Sequence, residues 1–381
     1  MKKSFVTAGA LCLCLSPRQA WAQGCILIRE SAPIIGAASS TYLRPGEWQF
    51  DIGFRNSTAD QHYSGDVYQA QRTELGTNVI NNQNQLLFDI NHQVTPRFGF
   101  AVLVPFIKAS WSVPSPIAPT PGPRAVQHGA GIGDISGIAR LWVLDPLTHR
   151  SRNFSVGLGL KVPTGNADDQ DTFANITGNN PSEKAVDQSV QPGDGGWGTQ
   201  VEVQGFSRLG PTFIFGSANY LINPRDTNDT ASVLVGLGVP SLILPIRNVN
   251  SVPDQYVLRV GVGVPIYKGL GASVAWRMEG VPRYDLIGRS DGFRRPGNEQ
   301  YIEPGISYAF GRSVLQVNIP LGYAFYRAPD PYTGAAGDAT FPGVVATASY
   351  SWRFGEVKHL AMPGDHAVPD PGVIKRDEGK E

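Results

Sequence analysis

The sequence predicts an all-β fold: a transmembrane, antiparallel, up-and-down β-barrel of about 12 strands, with long outer loops and short periplasmic turns. Three observations carry that prediction. Residues from Gly131 to Gly165 read as two strands joined by a polar turn. In the second strand Phe154, Val156, Leu158, Leu160 and Val162 share one face, and Ser155, Gly157, Gly159 and Lys161 share the other. Period-two alternation over about ten residues matches a tilted strand crossing a bilayer. Such stretches then recur along the chain, and their connections alternate long and short. Finally, the chain opens on a secretion signal but has no later apolar run of about 18 residues, as a membrane-crossing helix needs.

Residues 1–22 form the signal peptide. Lys2 and Lys3 are its basic start, Phe5 to Leu15 its apolar centre, and Ala20-Trp21-Ala22 its cleavage site, so Gln23 begins the mature chain. Cys12 and Cys14 leave with the signal and Cys25 stands alone, which excludes an intrachain disulfide framework. The residues before Cys25 are not the small apolar set of a lipoprotein signal. Lys plus Arg number 32 and Asp plus Glu 32, so nothing electrostatic favours a nucleic-acid partner. Residues 23–45 are a lead-in that sits in the periplasm or tucks into the barrel mouth.

The barrel occupies 46–354. In the first strand Trp48, Phe50, Ile52 and Phe54 point outward, and Gln49, Asp51, Gly53 and Arg55 inward. A long polar loop reaches about Asn82. The second strand sets Leu86, Phe88 and Ile90 against Gln85, Asp89 and Asn91, and Thr95-Pro96-Arg97 is a tight turn. The third runs from Phe98 to about Trp111, with Lys108 snorkelling at the outer rim. The proline-rich loop that follows cannot pair inside a sheet. Strands four and five are the Gly131–Gly165 hairpin. Its first strand turns Ile135, Gly137, Ala139 and Leu141 outward, and Ser136, Ile138 and Arg140 inward. The loop from Asn166 to Trp197 carries no strand pattern.

Strand six covers Thr199 to Ser207, and strand seven lies around Thr212 to Tyr220. After a loop to Asp254, strand eight sets Leu258, Val260 and Val262 against Arg259. Strand nine sets Val274, Trp276 and Met278 against Arg277 and Glu279. Strand ten opposes Ile302, Ile306 and Tyr308 to Glu303, and strand eleven opposes Leu315, Val317 and Ile319 to Gln316 and Asn318. Strand twelve opposes Tyr350, Trp352 and Phe354 to Ser349, Ser351 and Arg353. With both termini periplasmic, every long loop falls outside and every short turn inside. Trp48, Trp111, Trp142 and Trp352 lie near strand ends, where an aromatic girdle belongs. Residues 355–381, polar and rich in proline and glycine, are read as a disordered periplasmic tail.

The inward face collects Asp51, Arg55, Asp89, Arg140, Lys161, Glu202, Arg259, Arg277, Glu279, Glu303 and Arg353. Charge inside a barrel needs partners or water. The favoured reading is a charge-lined pore whose constriction selects solutes. The alternative is a self-satisfying ion-pair network that fills the barrel. A barrel of about 12 strands lies between packed eight-stranded and open sixteen-stranded ones. Bases outnumber acids by one on this face, which predicts a mild preference for anions.

Catalytic signals are weak. Gly288-Arg289-Ser290-Asp291-Gly292 matches the string of a nucleophile elbow, but that motif needs a strand before it and a helix after it, and here it lies in an outer loop. The six histidines fall in loops, strand ends or the tail, none beside a lipid-facing serine. Asp168, Asp169 and Asp171 lack calcium-loop spacing. No dinucleotide, Walker or zinc pattern is present, so neither a cofactor nor an enzyme is expected.

Four pieces stand out in order along the stretch from Gly46 to Phe354: Val94-Thr95-Pro96-Arg97-Phe98-Gly99, Gly131-Ile132-Gly133-Asp134, Leu160-Lys161-Val162-Pro163-Thr164-Gly165 and Gly195-Gly196-Trp197-Gly198. In these pieces the chain resembles the meta-pathway phenol-degradation family of outer-membrane transporter barrels. The resemblance implies an outer-membrane channel for small, aromatic or hydrophobic, organic solutes and supplies no site residues. The expectation is therefore a bacterial outer-membrane channel working by passive or facilitated diffusion. Its partners would be outer-membrane lipid and lipopolysaccharide, the solute and the barrel assembly machinery. The alternatives are a structural or interaction barrel with a plugged lumen and, behind it, a lipid-modifying enzyme.

Overall fold

The computed structural model describes residues 42–114, 123–238, 247–332, 334 and 336–355. The signal peptide, the three cysteines, the lead-in up to residue 41, most of the proline-rich loop and the tail from 356 lie outside the described residues.

Twelve wall strands follow the chain: β1 (Trp48–Ser64), β2 (Ile80–Gln93), β3 (Phe98–Pro114), β4 (Arg124–Ile132, resuming as Ile135–Trp142), β5 (Arg152–Val162) and β6 (Gly198–Leu209). The second half is β7 (Thr212–Ile222), β8 (Gln255–Tyr267), β9 (Leu270–Val281), β10 (Gly297–Phe310), β11 (Ser313–Asn318, resuming as Leu321–Arg327) and β12 (Asp338–Phe354). Each pairs antiparallel with the next, and β12 pairs with β1, Trp48 opposite Phe354. Closure leaves no open sheet edge, the condition for a sheet to stand in hydrocarbon.

The outward face is the apolar one. Phe54, Leu86, Phe106, Leu158, Val203, Val260, Ile306 and Val317 are all exposed, a pattern that buries nothing in water and belongs against lipid. Aromatic side chains mark both borders of this belt. At the periplasmic end Trp48 stacks on His92 and Phe354, and Trp352 on Phe354. At the outer end the Trp276 indole N–H donates to the Tyr323 hydroxyl, which donates to Gln300. Lys108 is exposed in β3 opposite Asn84 and Ala130, just beyond Phe106. Trp111 and Trp142 depart from the expected girdle. Both are buried on the inner side, 1 % and 8 % exposed. Proximity to a strand end sets depth in the membrane but not which face a side chain takes.

Further departures lie in the strand ends, strand breaks and connections. β1 runs on to Ser64 and β12 begins at Asp338, and they pair with each other over that extension. There both faces are polar or mixed, so period two gave no signal. β4 starts at Arg124 and breaks at Gly133-Asp134, and β11 breaks at Ile319-Pro320, where proline removes a donor. Within the loop from Asn166 to Trp197, Gln170–Phe173 pairs with Ser182–Ala185; beyond β7, Thr227–Ala231 pairs with Val249–Ser251. These loops fold inward. Phe173, Ile176, Val186 and Val190 of the first, with Val233, Leu234 and Leu237 of the second, pack on Ile107, Ala109, Trp111 and Val113 of β3. The barrel thus has an apolar core of its own at its outer mouth.

Candidate functional site

The interior is built in three tiers: a loop plug at the outer mouth, a charged belt, and an aromatic cluster at the periplasmic mouth.

The plug is anchored by polar contacts on opposite sides of the barrel. On one side Ser189 receives hydrogen bonds from Asn81 (2.5 Å, to its hydroxyl) and Gln83 (3.2 Å, to its carbonyl), both on β2. Gln127 of β4 accepts the Asp187 N–H at 2.7 Å. On the other side Arg295, just before β10, makes a two-pronged ion pair with Asp187, whose side chain is fully buried. Asp187 also accepts both the N–H and the hydroxyl of Ser189. The neighbouring Arg294 forms a bidentate pair with Asp285, both arms at 2.6 Å. A buried pair of this kind is costly to break from one side only.

In the belt, Arg55 of β1 reaches across the lumen to Glu279 of β9 with two hydrogen bonds of 2.9 and 3.0 Å. Glu279 also receives Arg277. Arg277 lies 3.7 Å from Glu303, and Glu303 pairs with Arg259 at 2.5 Å. The side chains of Glu279 and Glu303 are 1 % and 2 % exposed, so this group is dry. A second group centres on Arg140, which donates to Glu202 at 2.6 and 3.1 Å and to Asn91 at 3.0 Å. Arg140 and Glu202 are on β4 and β6, and the strand between them presents Gly157. A Cβ there would meet the Ile138 Cδ1 at 2.8 Å and the Glu202 Cβ at 3.2 Å. The missing side chain is what lets the pair span β5.

Asp51 and Asp89 are directly opposite each other on β1 and β2. Gln49 and Asn91 donate to Asp51 at 2.9 and 3.1 Å, and Arg353 donates to Gln49 at 2.9 Å. Lys161, at the outer end of β5, pairs with Asp194 and lies 3.9 Å from Asp134. The eleven inward residues are therefore not one constriction. They divide into a β1/β8–β10 group, a β1/β2/β4/β6/β12 group, and Lys161 apart at the loop. Glu299, hydrogen-bonded by the Tyr301 hydroxyl, is an inward acid that the pattern missed. It brings acids level with bases on the inner wall and removes the basis for an anion preference; Asp134 and Asp194 beside Lys161 add further acids.

The third tier lies at the periplasmic mouth. Trp142, Phe206, Phe213, Phe215 and Ala275 form a buried inward cluster. Parity alone would have found Phe206, since it shares a face with Gln200, Glu202 and Gln204. Tyr42, at the end of the lead-in, packs edge-on against Trp142 and Phe206, with centroids 4.8 and 5.5 Å away. Its hydroxyl donates to the His149 carbonyl at 2.7 Å. Burial pushes the Tyr42 phenol up to about 12, so it keeps that proton at any physiological pH. The guanidinium of Arg259 lies 4.9 Å from the Phe215 ring centroid, linking this cluster to the belt.

Ser290 of the Gly-x-Ser-x-Gly string is buried in the loop between β9 and β10, its hydroxyl accepting the Asp285 N–H at 2.7 Å. No strand-to-helix elbow surrounds it. Asp171 holds His128 at 2.9 Å rather than joining Asp168 and Asp169 in a cluster. Among the described residues no group of three or more His, Cys, Asp or Glu could hold a metal ion.

No protein-family model matches the chain, and no curated protein sequence does either. Solved structures do. The chain is similar to an outer membrane channel from Pseudomonas putida F1, at 14 % identity and a TM-score of 0.57, covering 85 % of this chain and 100 % of that one. The P. putida toluene transporter TodX aligns over 85 % of this chain and 94 % of its own, at 11 % identity and a TM-score of 0.41. The translocator domain of the Neisseria meningitidis autotransporter NalP aligns over 83 % and 91 %, at 14 % and 0.40. The first of these likenesses and the closed apolar-belted wall agree on one fold: a twelve-stranded transmembrane β-barrel of the outer-membrane kind.

Proposed function

We propose that this chain is an outer-membrane channel for small organic solutes with an aromatic or apolar body, crossing by diffusion without energy input. One observation carries the reading: Trp142, Phe206, Phe213 and Phe215 face inward at the periplasmic mouth. A water-filled pore presents polar groups there. An aromatic cluster offers ring stacking to an aromatic solute. The belt of ion pairs supplies the polar surroundings for a hydroxyl or carboxyl on that ring. The likeness to an outer membrane channel and the motif resemblance to the phenol-degradation family support the same reading.

Solute passage then requires the plug and the belt to rearrange, because the carboxylates of Glu202, Glu279 and Glu303 are dry at rest. That dryness favours the second reading, a barrel with a plugged lumen and a structural or interaction role. Quenching of Trp142 fluorescence by 4-nitrophenol tests the choice, with Trp142→Phe as the control for the other tryptophans. Saturable quenching that disappears in the control supports a solute path. Quenching equal in both proteins overturns it.

A further inference from the structure

We propose that the periplasmic rim of the barrel is a docking surface for anionic phospholipid headgroups of the inner leaflet. This rests on the orientation of the barrel and not on what passes through it.

The net charge of the chain is zero, but its charge is segregated. All five short turns carry a cation at or beside the turn: Arg97, then Arg150 and Arg152, Arg208, Lys268 and Arg312. All six are exposed, and among the described residues none is within ion-pair distance of a carboxylate. The same five turns hold a single acid, Asp145, whose carboxylate is occupied by the Leu147 N–H at 2.9 Å. Because hairpins succeed one another around the wall, one cation per turn makes a ring rather than a patch.

The depth of the ring fits headgroups. Arg152 opens β5 on the face that continues as Phe154, Val156 and Leu158, all exposed to lipid. Lys268 lies 5.2 Å from the ring centroid of the exposed Tyr267. The flanking aromatics Trp48, Trp352 and Phe354 fix the membrane border at the same level. Lys and Arg at such a border extend their charge to the phosphates while their stems stay with the chains. Two of the six have other engagements. Arg97 is tied to the Trp142 and Val143 carbonyls at 2.9 and 2.8 Å, and Arg208 leans over the inward Phe213 ring. Arg150, Arg152, Lys268 and Arg312 are left as the lipid-facing set.

A cation at a membrane surface strengthens binding about fivefold per charge. The full mature chain, reconstituted in phosphatidylcholine vesicles containing brominated phosphatidylglycerol, reads this through quenching of Trp48 and Trp352. The expected result is an approximately fivefold preference for phosphatidylglycerol over brominated phosphatidylcholine at low salt. It falls to within about twofold near 1 M KCl. The variant Arg150→Gln/Arg152→Gln/Lys268→Gln/Arg312→Gln, with folding checked by heat-modifiable migration, loses the preference. Equal quenching by both lipids in the unaltered chain overturns the proposal; an acidic protein as the true occupant would give that result. A preference retained by the variant also overturns it. If the variant does not fold, a preference that survives high salt overturns it.

Discussion

Replacing Asp187 by Asn should release the plug. Asp187 and Arg295 are both nearly inaccessible and joined at both guanidinium arms, and they connect the inward loop to the opposite wall. Losing one partner of a buried pair costs about 3–5 kcal/mol. Asparagine keeps an acceptor for the Ser189 N–H, so the lower end, about 3 kcal/mol, applies. That cost falls on the closed state alone, because the pair is parted once the loop leaves the lumen. At roughly 1.4 kcal/mol per factor of ten, the closed-to-open ratio drops about 100-fold. Single-channel recording in planar bilayers measures the ratio as open probability. The double variant Asp187→Asn/Arg295→Gln leaves no stranded charge and should recover part of the closure. An unchanged open probability in folded Asp187→Asn protein would refute the latch.

Gly157→Leu should push Glu202 away from Arg140, because a side chain there has no room; loss of one buried-pair contact is expected to lower the unfolding midpoint in urea, and an unaltered midpoint would contradict the packing. Tyr42→Ala should unblock the aromatic cluster and strengthen 4-nitrophenol quenching of Trp142; weaker quenching would mean that Tyr42 builds the site rather than covering it. Asp226 is held below the usual carboxylate range, chiefly by the Arg289 N–H and then by its side chain. A carboxylate lowered in the folded state supports its contact above its free value near 4 and loses that support as pH falls through the folded value. The protection factor of the Arg289 amide, taken relative to the intrinsic exchange rate at each pH, should therefore fall as pH drops below the free carboxylate value, and Asp226→Asn should lower it at pH 7; protection unaffected by both would refute the clasp.

What the sequence made legible follows from what lipid demands of a strand. Phe154 to Val162 must alternate because one face meets hydrocarbon, and there the reading and the structure agree residue by residue. The signal fades where that demand ends. Asn56 to Ser64 stands beyond the apolar belt, so nothing constrains its pattern and it reads as loop although it pairs with β12. The same alternation assigns Arg55, Glu279 and Arg259 to the inner wall but cannot say which meets which. Arg55 and Glu279 are partners across the lumen, a matter of barrel circumference rather than spacing. Asp187 and Arg295 lie in loops with no period at all, and only the tertiary fold makes them neighbours. Trp142 shares parity with Arg140, and that parity sends it inward although its aromatic character and its place near a strand end suit a girdle.

The measurement that bears most directly on the central claim is the single-channel current of the refolded unaltered chain, with phenol added to one side. The account predicts brief, rare openings from a mostly closed state, and a dose-dependent reduction of current as the ring occupies the aromatic mouth. A folded barrel that stays silent, in both the unaltered and Asp187→Asn chains, would contradict it and leave the plugged, non-transporting barrel in its place.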